Sequence, residues 1–178
     1  MDFIRIQSSN NKYFKDIMNL YKDSFPIFEQ RVLKDQLDVL KEDRYNCIAV
    51  CEKDKLVGLL FYWELENCKY IEHLAILTEL RCKSYGSKIL SEFCKSDKTI
   101  ISEIDPPVDE ISIKRLNFYT KLGFKLQEFN HIHPPYRKNY QGHNLKIMSH
   151  KKDLSYDEYN HFNDFLKNKI MKYSQVNS

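Results

Sequence analysis

The chain is poor in the residues that break or loosen a fold: only 4 glycines and 5 prolines occur in 178 residues. That scarcity excludes collagen-like and low-complexity chains, and no stretch rich in Pro, Gly or Ser marks a domain boundary. Cysteine offers no staple either. Cys47, Cys51, Cys68, Cys82 and Cys94 are odd in number and contain no CxxC pair, so they read as reduced thiols. With no hydrophobic leader ahead of them, the expected location is cytoplasmic. Charges interrupt every apolar run well short of the roughly 18 to 20 residues that a membrane span needs. A dominant charge is missing too: Lys+Arg 28 against Asp+Glu 25 leaves a formal +3, too little for a dedicated nucleic-acid or membrane-surface protein. Any anionic ligand must therefore be held locally.

What is present is a globular composition, 42% hydrophobic and 13% aromatic, at a length that fits one domain over residues 1–178. Asp2 to Gln7 alternates like a short strand, and Ser8-Ser9-Asn10 leads into a helix from about Asn11 to Lys22. A Phe25-Pro26-Ile27-Phe28 break precedes a second helix from about Glu29 to Leu40. The β-branched and aromatic runs Tyr45 to Glu52, Leu56 to Leu65 and Tyr70 to Ile76 predict an antiparallel meander. From Arg81 to about Lys95 the period turns helical, and Thr99 to Asp105 is a strand stopped by Pro106-Pro107. Ile111 to Leu122 is a helix closed by Gly123 as a left-handed cap, followed by strands at Phe124 to His131 and near Asn144 to Ser149. Ser155 and Glu158 form a capping box for a last helix reaching about residue 173. The fold class is α+β.

The chemistry concentrates in one stretch: a strand ending Glu72-His73-Leu74-Ala75-Ile76, a short turn, then Arg81-Cys82-Lys83-Ser84-Tyr85-Gly86-Ser87 opening a helix. The first helical turn leaves N–H groups unpaired and carries the positive end of the dipole, so this basic loop suits a phosphate or pyrophosphate. Arg81, Lys83 and Lys88 add positive charge, and Gly86 permits close backbone approach. No GxxxxGK[ST] or GxGxxG run is present, which excludes the common nucleoside triphosphate and dinucleotide loops.

Together with Phe118-Tyr119-Thr120-Lys121-Leu122-Gly123-Phe124, these two segments resemble the central motifs of the GNAT N-acetyltransferase family in order, spacing and element type. The resemblance covers roughly residues 45 to 130 and carries several implications. It implies a mixed, mostly antiparallel sheet of six or seven strands flanked by helices, to which this chain adds a C-terminal helix. Acetyl-coenzyme A is the implied donor, transferring acetyl to an amine without a metal. In the family pattern, Leu74, Ala75 and Ile76 hold the pantetheine arm by their backbone, and Arg81, Cys82, Lys83, Ser84, Tyr85, Gly86 and Ser87 hold the pyrophosphate. Two positions depart from that pattern. Ser84 stands where a glycine is usual, with more ordinary backbone angles expected, and Ser112 stands where an asparagine is frequent.

Amide formation from a thioester needs a neutral amine, an oxyanion donor and a proton for the departing thiolate. Tyr119, four residues before Gly123, matches the family tyrosine that protonates the coenzyme A sulfur. Strand alternation sends Glu72 to one face and His73 to the other, so only one of them can enter a cleft. The resemblance favours Glu72 as base, with His73 or a solvent relay as alternatives. Phe25, Phe28, Tyr62, Trp63 and the His131 to Arg137 segment are candidates for the acceptor pocket. The acceptor is an amine of a small molecule or an exposed protein amine; no nucleic acid or membrane is expected, and a homodimer stays open. His131 and His133 match no strong zinc spacing and read as exposed loop histidines. A non-catalytic acyl-coenzyme A sensor with the same fold is the alternative to an enzyme.

Overall fold

The computed structural model describes residues 1–176. Its strands are β1 (Asp2–Arg5), β2 (Tyr45–Glu52), β3 (Lys55–Glu64), β4 (Cys68–Ile76), β5 (Thr99–Ile104), β6 (Phe124–Leu126), β7 (His131–His133) and β8 (His143–His150). They form an eight-stranded sheet in the order β1-β2-β3-β4-β5-β8-β6, with β7 also paired to β8. Every pairing is antiparallel except β4 with β5. The α+β sheet architecture is as expected, with one strand more. The extra strand arises because Phe124 to His131 is not continuous: after Gln127 N–H bonds the Ile147 carbonyl at 2.8 Å, the ladder to β8 is interrupted until His131, with Phe129 stacked on Tyr159 at 4.1 Å in between.

Alternation along β2 explains why both faces are covered. Cys47, Ala49 and Cys51 enter one core, with Ile17 and Tyr21 of α1 (Phe14–Ser24) and Val39 of α2 (Leu33–Val39). The same core takes Tyr159 and Phe162 of α5 (Tyr156–Phe165). Ile48 and Val50 enter the other core, with Ile89 and Leu90 of α3 (Tyr85–Phe93) and Tyr119 of α4 (Glu110–Lys121). Several helix boundaries differ from the periodicity reading. The second helix begins at Leu33, because Ile27–Glu29 is a separate 3-10 turn, and α3 begins only at Tyr85. Beyond α5 the chain loosens into a π turn at Leu166–Ile170 and a 3-10 turn at Met171–Tyr173, while the Ser155–Glu158 capping box forms as expected. Among the described residues no helix is long and apolar enough to cross a membrane.

Two irregularities around β4 position everything that follows. Parallel pairing with β5 covers only Cys68 to Ile71 against Thr99 to Ser102. Beyond it β4 stays with β3 and β5 stays with β8, so a wedge opens between them. On the other edge, Phe61 pairs His73 and Tyr62 pairs Ile71, leaving Glu72 without a partner in a β-bulge. Gly58 keeps β3 tight against this segment: a Cβ there would lie 2.4 Å from the Ala75 carbonyl oxygen. Gly58→Ala is therefore expected to cost about 1–3 kcal/mol in urea unfolding, as overpacking does.

Candidate active site

A cavity of about 550 Å³ occupies the wedge, with walls from both faces of the sheet. Arg81, Ser102 and Tyr119 contribute from the α3 and α4 side; Phe25, Phe28, Glu29, Glu103, His133, Tyr136 and His143 contribute from the other. Tyr62 and Trp63 do not line it, and Trp63 is fully buried in the core.

The donor half is built mainly from backbone. Leu77 N–H bonds the Val57 carbonyl at 3.0 Å, and the register carries Ala75 onto Leu59. By antiparallel alternation the peptide groups of Leu74 and Ile76 then face away from β3, into the wedge. Arg81 Nε donates to the Ile76 carbonyl on that open side at 3.2 Å. Ala75 also lines the cavity, but its peptide groups are turned toward β3.

In the loop that follows, Cys82 (φ 60°) and Ser84 (φ 63°) both adopt left-handed backbone. The expectation of ordinary angles at Ser84 is thus overturned: the serine takes the conformation a glycine would. A left-handed residue leading into a helix turns successive N–H groups to one side, the backbone geometry that cradles anions. Cys82, Lys83 and Ser84 are exposed there, and Tyr85 is anchored by its hydroxyl donating to Glu52 at 2.8 Å. A Cβ on Gly86 would meet the Phe118 ring at 3.4 Å and Ile76 at 3.8 Å, so the glycine sets how closely α3 approaches α4 and β4. Ser112 is explained locally as well. It completes a capping box with Asp109 at the start of α4.

Tyr119 is buried and its hydroxyl accepts from Ser102 Oγ at 3.2 Å. Burial pushes its pKa up, so the phenol stays protonated at neutral pH. With Ser102 donating to the oxygen, the phenolic proton remains available to the cavity.

Glu72 is placed differently from the sequence reading. The bulge breaks strand alternation, and Glu72 and His73 point to the same side. Arg31 donates to both Glu72 oxygens at 2.6 and 2.8 Å, and the Tyr136 hydroxyl adds a third bond. The side chains of Arg31 and Glu72 are 0% and 1% exposed. Burial alone would raise the Glu72 carboxyl, but Arg31 and His73 hold it well below the usual range. A carboxylate so saturated is a poor proton acceptor, and its contacts tie β4 to Arg31 and Tyr136 rather than leaving an oxygen open for the base role expected of it. His73 is no better placed. Its Nε2 donates to the Glu29 carbonyl at 3.0 Å, and the ring is enclosed by Tyr21 and Phe25.

The sequence reading missed Arg31, Ser102, Glu103 and the burial of His131 and His133. Those two histidines are not exposed loop residues: they sit on β7, 2% and 4% exposed, facing Glu103. The available signal was Glu103 itself, a charge within the otherwise buried run Thr99–Ile104. Its carboxylate would be raised by burial, but His133, His131 and Tyr70 keep it below the ordinary value. Glu29, by contrast, is raised by burial.

Glu72→Gln leaves the Arg31 charge uncompensated and should cost about 3–5 kcal/mol in urea unfolding. Since the folded carboxyl is depressed, its contribution is complete above the unfolded value near 4.3 and is lost as pH falls through the folded one. Wild-type stability should therefore drop more steeply in acid than that of the variant. A Glu72 acting only as base would lose rate without losing stability.

The sequence matches the acetyltransferase (GNAT) family over residues 14–124. No curated protein matches it. Among solved structures, a candidate GNAT-family acetyltransferase from Bacteroides thetaiotaomicron superposes with a TM-score of 0.89 at 26% identity, covering 96% of this chain and 98% of that one. A Bacillus subtilis acetyltransferase in complex with coenzyme A gives 0.56 at 18% identity, over 84% and 95%. A spermidine N-acetyltransferase variant from Vibrio cholerae gives 0.63 at 15% identity, over 84% and 94%. The wedge, the left-handed basic loop and the tyrosine helix thus occur in a chain that belongs to the GNAT acetyltransferase family.

Proposed function

We propose that the chain is a single-domain N-acetyltransferase that moves acetyl from acetyl-coenzyme A to a primary amine by direct attack in a ternary complex. One observation carries the reading. The open peptide edge of Leu74 and Ile76, the Arg81 guanidinium and the Tyr119 hydroxyl converge on one cavity. Each has a task in that chemistry. Exposed amides of the Arg81 to Ser87 loop receive the diphosphate, and the β4 edge receives the pantetheine amides and the thioester oxygen. Tyr119 supplies the proton for sulfur as the C–S bond breaks.

The opposite half of the cavity suits a protonated amine. Glu29, Glu103 and Asp105 line it, and Asp105 is paired with Arg115. Small molecules bearing an ammonium group and exposed protein amines both meet that requirement. Cys82 lies on the exposed loop rather than at the wedge, which favours direct attack over a cysteine relay.

Tyr119→Phe should lower kcat by about 10²–10³, within the range of a lost general acid, while the Kd for coenzyme A changes less than about twofold. Free-thiol release and calorimetry measure the two. Equal rates would favour a non-catalytic sensor or remove Tyr119 from the role. Ser84→Gly relieves a left-handed L residue costing about 1–2 kcal/mol, offset in part by the entropy of glycine. It should leave the melting temperature unchanged or raised and should not weaken coenzyme A binding. Weaker binding would show that the hydroxyl, rather than the backbone, matters at that position.

A further inference from the structure

With Glu72 saturated, and with the lone pair of His73 on an Nδ1 that is itself buried beside Glu72 at 3.7 Å although the residue borders the cavity, the acceptor amine needs another proton acceptor, and the structure assigns one. We infer that His133 is the general base of the transfer, taking the proton of the acceptor ammonium on Nε2; this rests on the acetyltransferase reading above.

Tautomer chemistry makes the argument. His133 Nδ1 lies 2.6 Å from the Pro134 carbonyl, which can only accept, so Nδ1 carries the proton and the Nε2 of the neutral ring is a lone pair. The closest charged group to that lone pair is Glu103, at 3.8 Å, beyond hydrogen-bond reach and without a proton to offer. Nε2 is thus an oriented acceptor with no donor, on a ring that lines the cavity. Glu103 is a weaker candidate, since Tyr70 already donates to one oxygen at 2.6 Å and His131 to the other. Its carboxylate stands beside Nε2 on the acceptor side of the cavity without blocking it. Position agrees as well. Glu103 follows Ser102, the residue bonded to Tyr119, so His133 reaches the wedge from the face opposite the general acid.

The other groups facing His133 do not match it. Tyr136, with its ring 5.3 Å away, commits its hydroxyl to Glu72. His143, 5.8 Å away on β8, has both ring nitrogens buried without hydrogen-bond partners, so nothing fixes its tautomer. Glu29 lies 3.6 Å beyond it.

The protons balance. R–NH3+ gives one proton to His133 Nε2, which returns it to solvent. The freed lone pair forms the C–N bond, the C–S bond breaks, and Tyr119 protonates the thiolate. The second nitrogen proton, shed as the amide forms, restores Tyr119.

The test measures thiol release from acetyl-coenzyme A against pH with diaminobutane, spermidine and glycinamide as alkylammonium acceptors, and with hydroxylamine, an amine already neutral at pH 7. For His133→Gln, kcat/KM for the ammonium acceptors should fall about 10²-fold or more, and the acid limb of the profile should vanish. With hydroxylamine the loss should be under about 10-fold. A structural role would depress both acceptor classes equally and overturn the inference, as would loss of the limb in His143→Gln but not in His133→Gln. His133→Asn, whose shorter amide can reach the Pro134 carbonyl in place of Nδ1, is the second variant should His133→Gln fail to fold, and an intact limb in it overturns the inference. Wild-type protein that turns over no acceptor overturns the acetyltransferase reading and this inference together, whereas turnover with an intact limb in His133→Gln overturns this inference alone.

Discussion

The buried ion pair between Arg31 and Glu72 is the constraint on which the acceptor half of the molecule depends. Moving two charges out of water is costly, and here the cost is offset by saturation: the guanidinium fork fills both carboxylate oxygens, and Arg31 Nε finds the Tyr173 carbonyl at 3.1 Å. Arg31 also lies over the Tyr136 ring, 4.7 Å from its centre. Four distant segments meet in this way: the α1–α2 connection, the β4 bulge, the stretch after β7 and the C-terminal tail. Backbone bonds from Tyr136 to Phe28 and from Gln175 to Tyr136 close the same junction. Without the bulge, Glu72 would not face Arg31, and without Arg31 the bulge would bury an unpaired charge. Each feature requires the other.

From this junction comes an asymmetry between the two halves of the cavity. The donor half relies on peptide groups of β4 and of a left-handed loop, where almost any side chain can stand. The acceptor half relies on particular side chains from β5, β7, β8 and the α1–α2 connection. A backbone site tolerates extensive substitution, but a site built from carboxylates and histidines at fixed distances does not.

The same division decides what was legible in the sequence. β2 was read with its observed ends, and the Ser155–Glu158 box and the left-handed cap at Gly123 were also recovered, because each is encoded within a few residues. The bulge at Glu72 was not, since a count of alternating residues assumes an unbroken period and nothing beside Glu72 announces the slip. Its cause lies in partners 41 and 64 positions away, Arg31 and Tyr136. His131 and His133 were read as exposed for a related reason. Polar residues near prolines suggest a loop, and only the pairing of β7 with β8 and the charge of Glu103 bring them inside. Ser84 was the opposite case, a local expectation of ordinary backbone angles overruled by the turn that opens α3.

In the mechanism proposed above, the wedge also separates the two proton transfers. Tyr119 and Ser102 approach from the side covered by α3 and α4, whereas His133 and Glu103 approach from the side closed by α5 and the Arg31 junction. Adjacent residues of a strand point to opposite faces, so Ser102 and Glu103 place one polar contact on each side of β5 within a single peptide step. A gap between parallel strands is what allows a thioester carbon to be reached from both faces at once. A continuous sheet would put its own hydrogen-bond ladder between acid and base, and a deeper split would cost the pairing of β4 with β5 that holds the two faces in register. The short ladder from Cys68 to Ile71 is thus a compromise between keeping the sheet intact and letting an amine and a thioester meet within it.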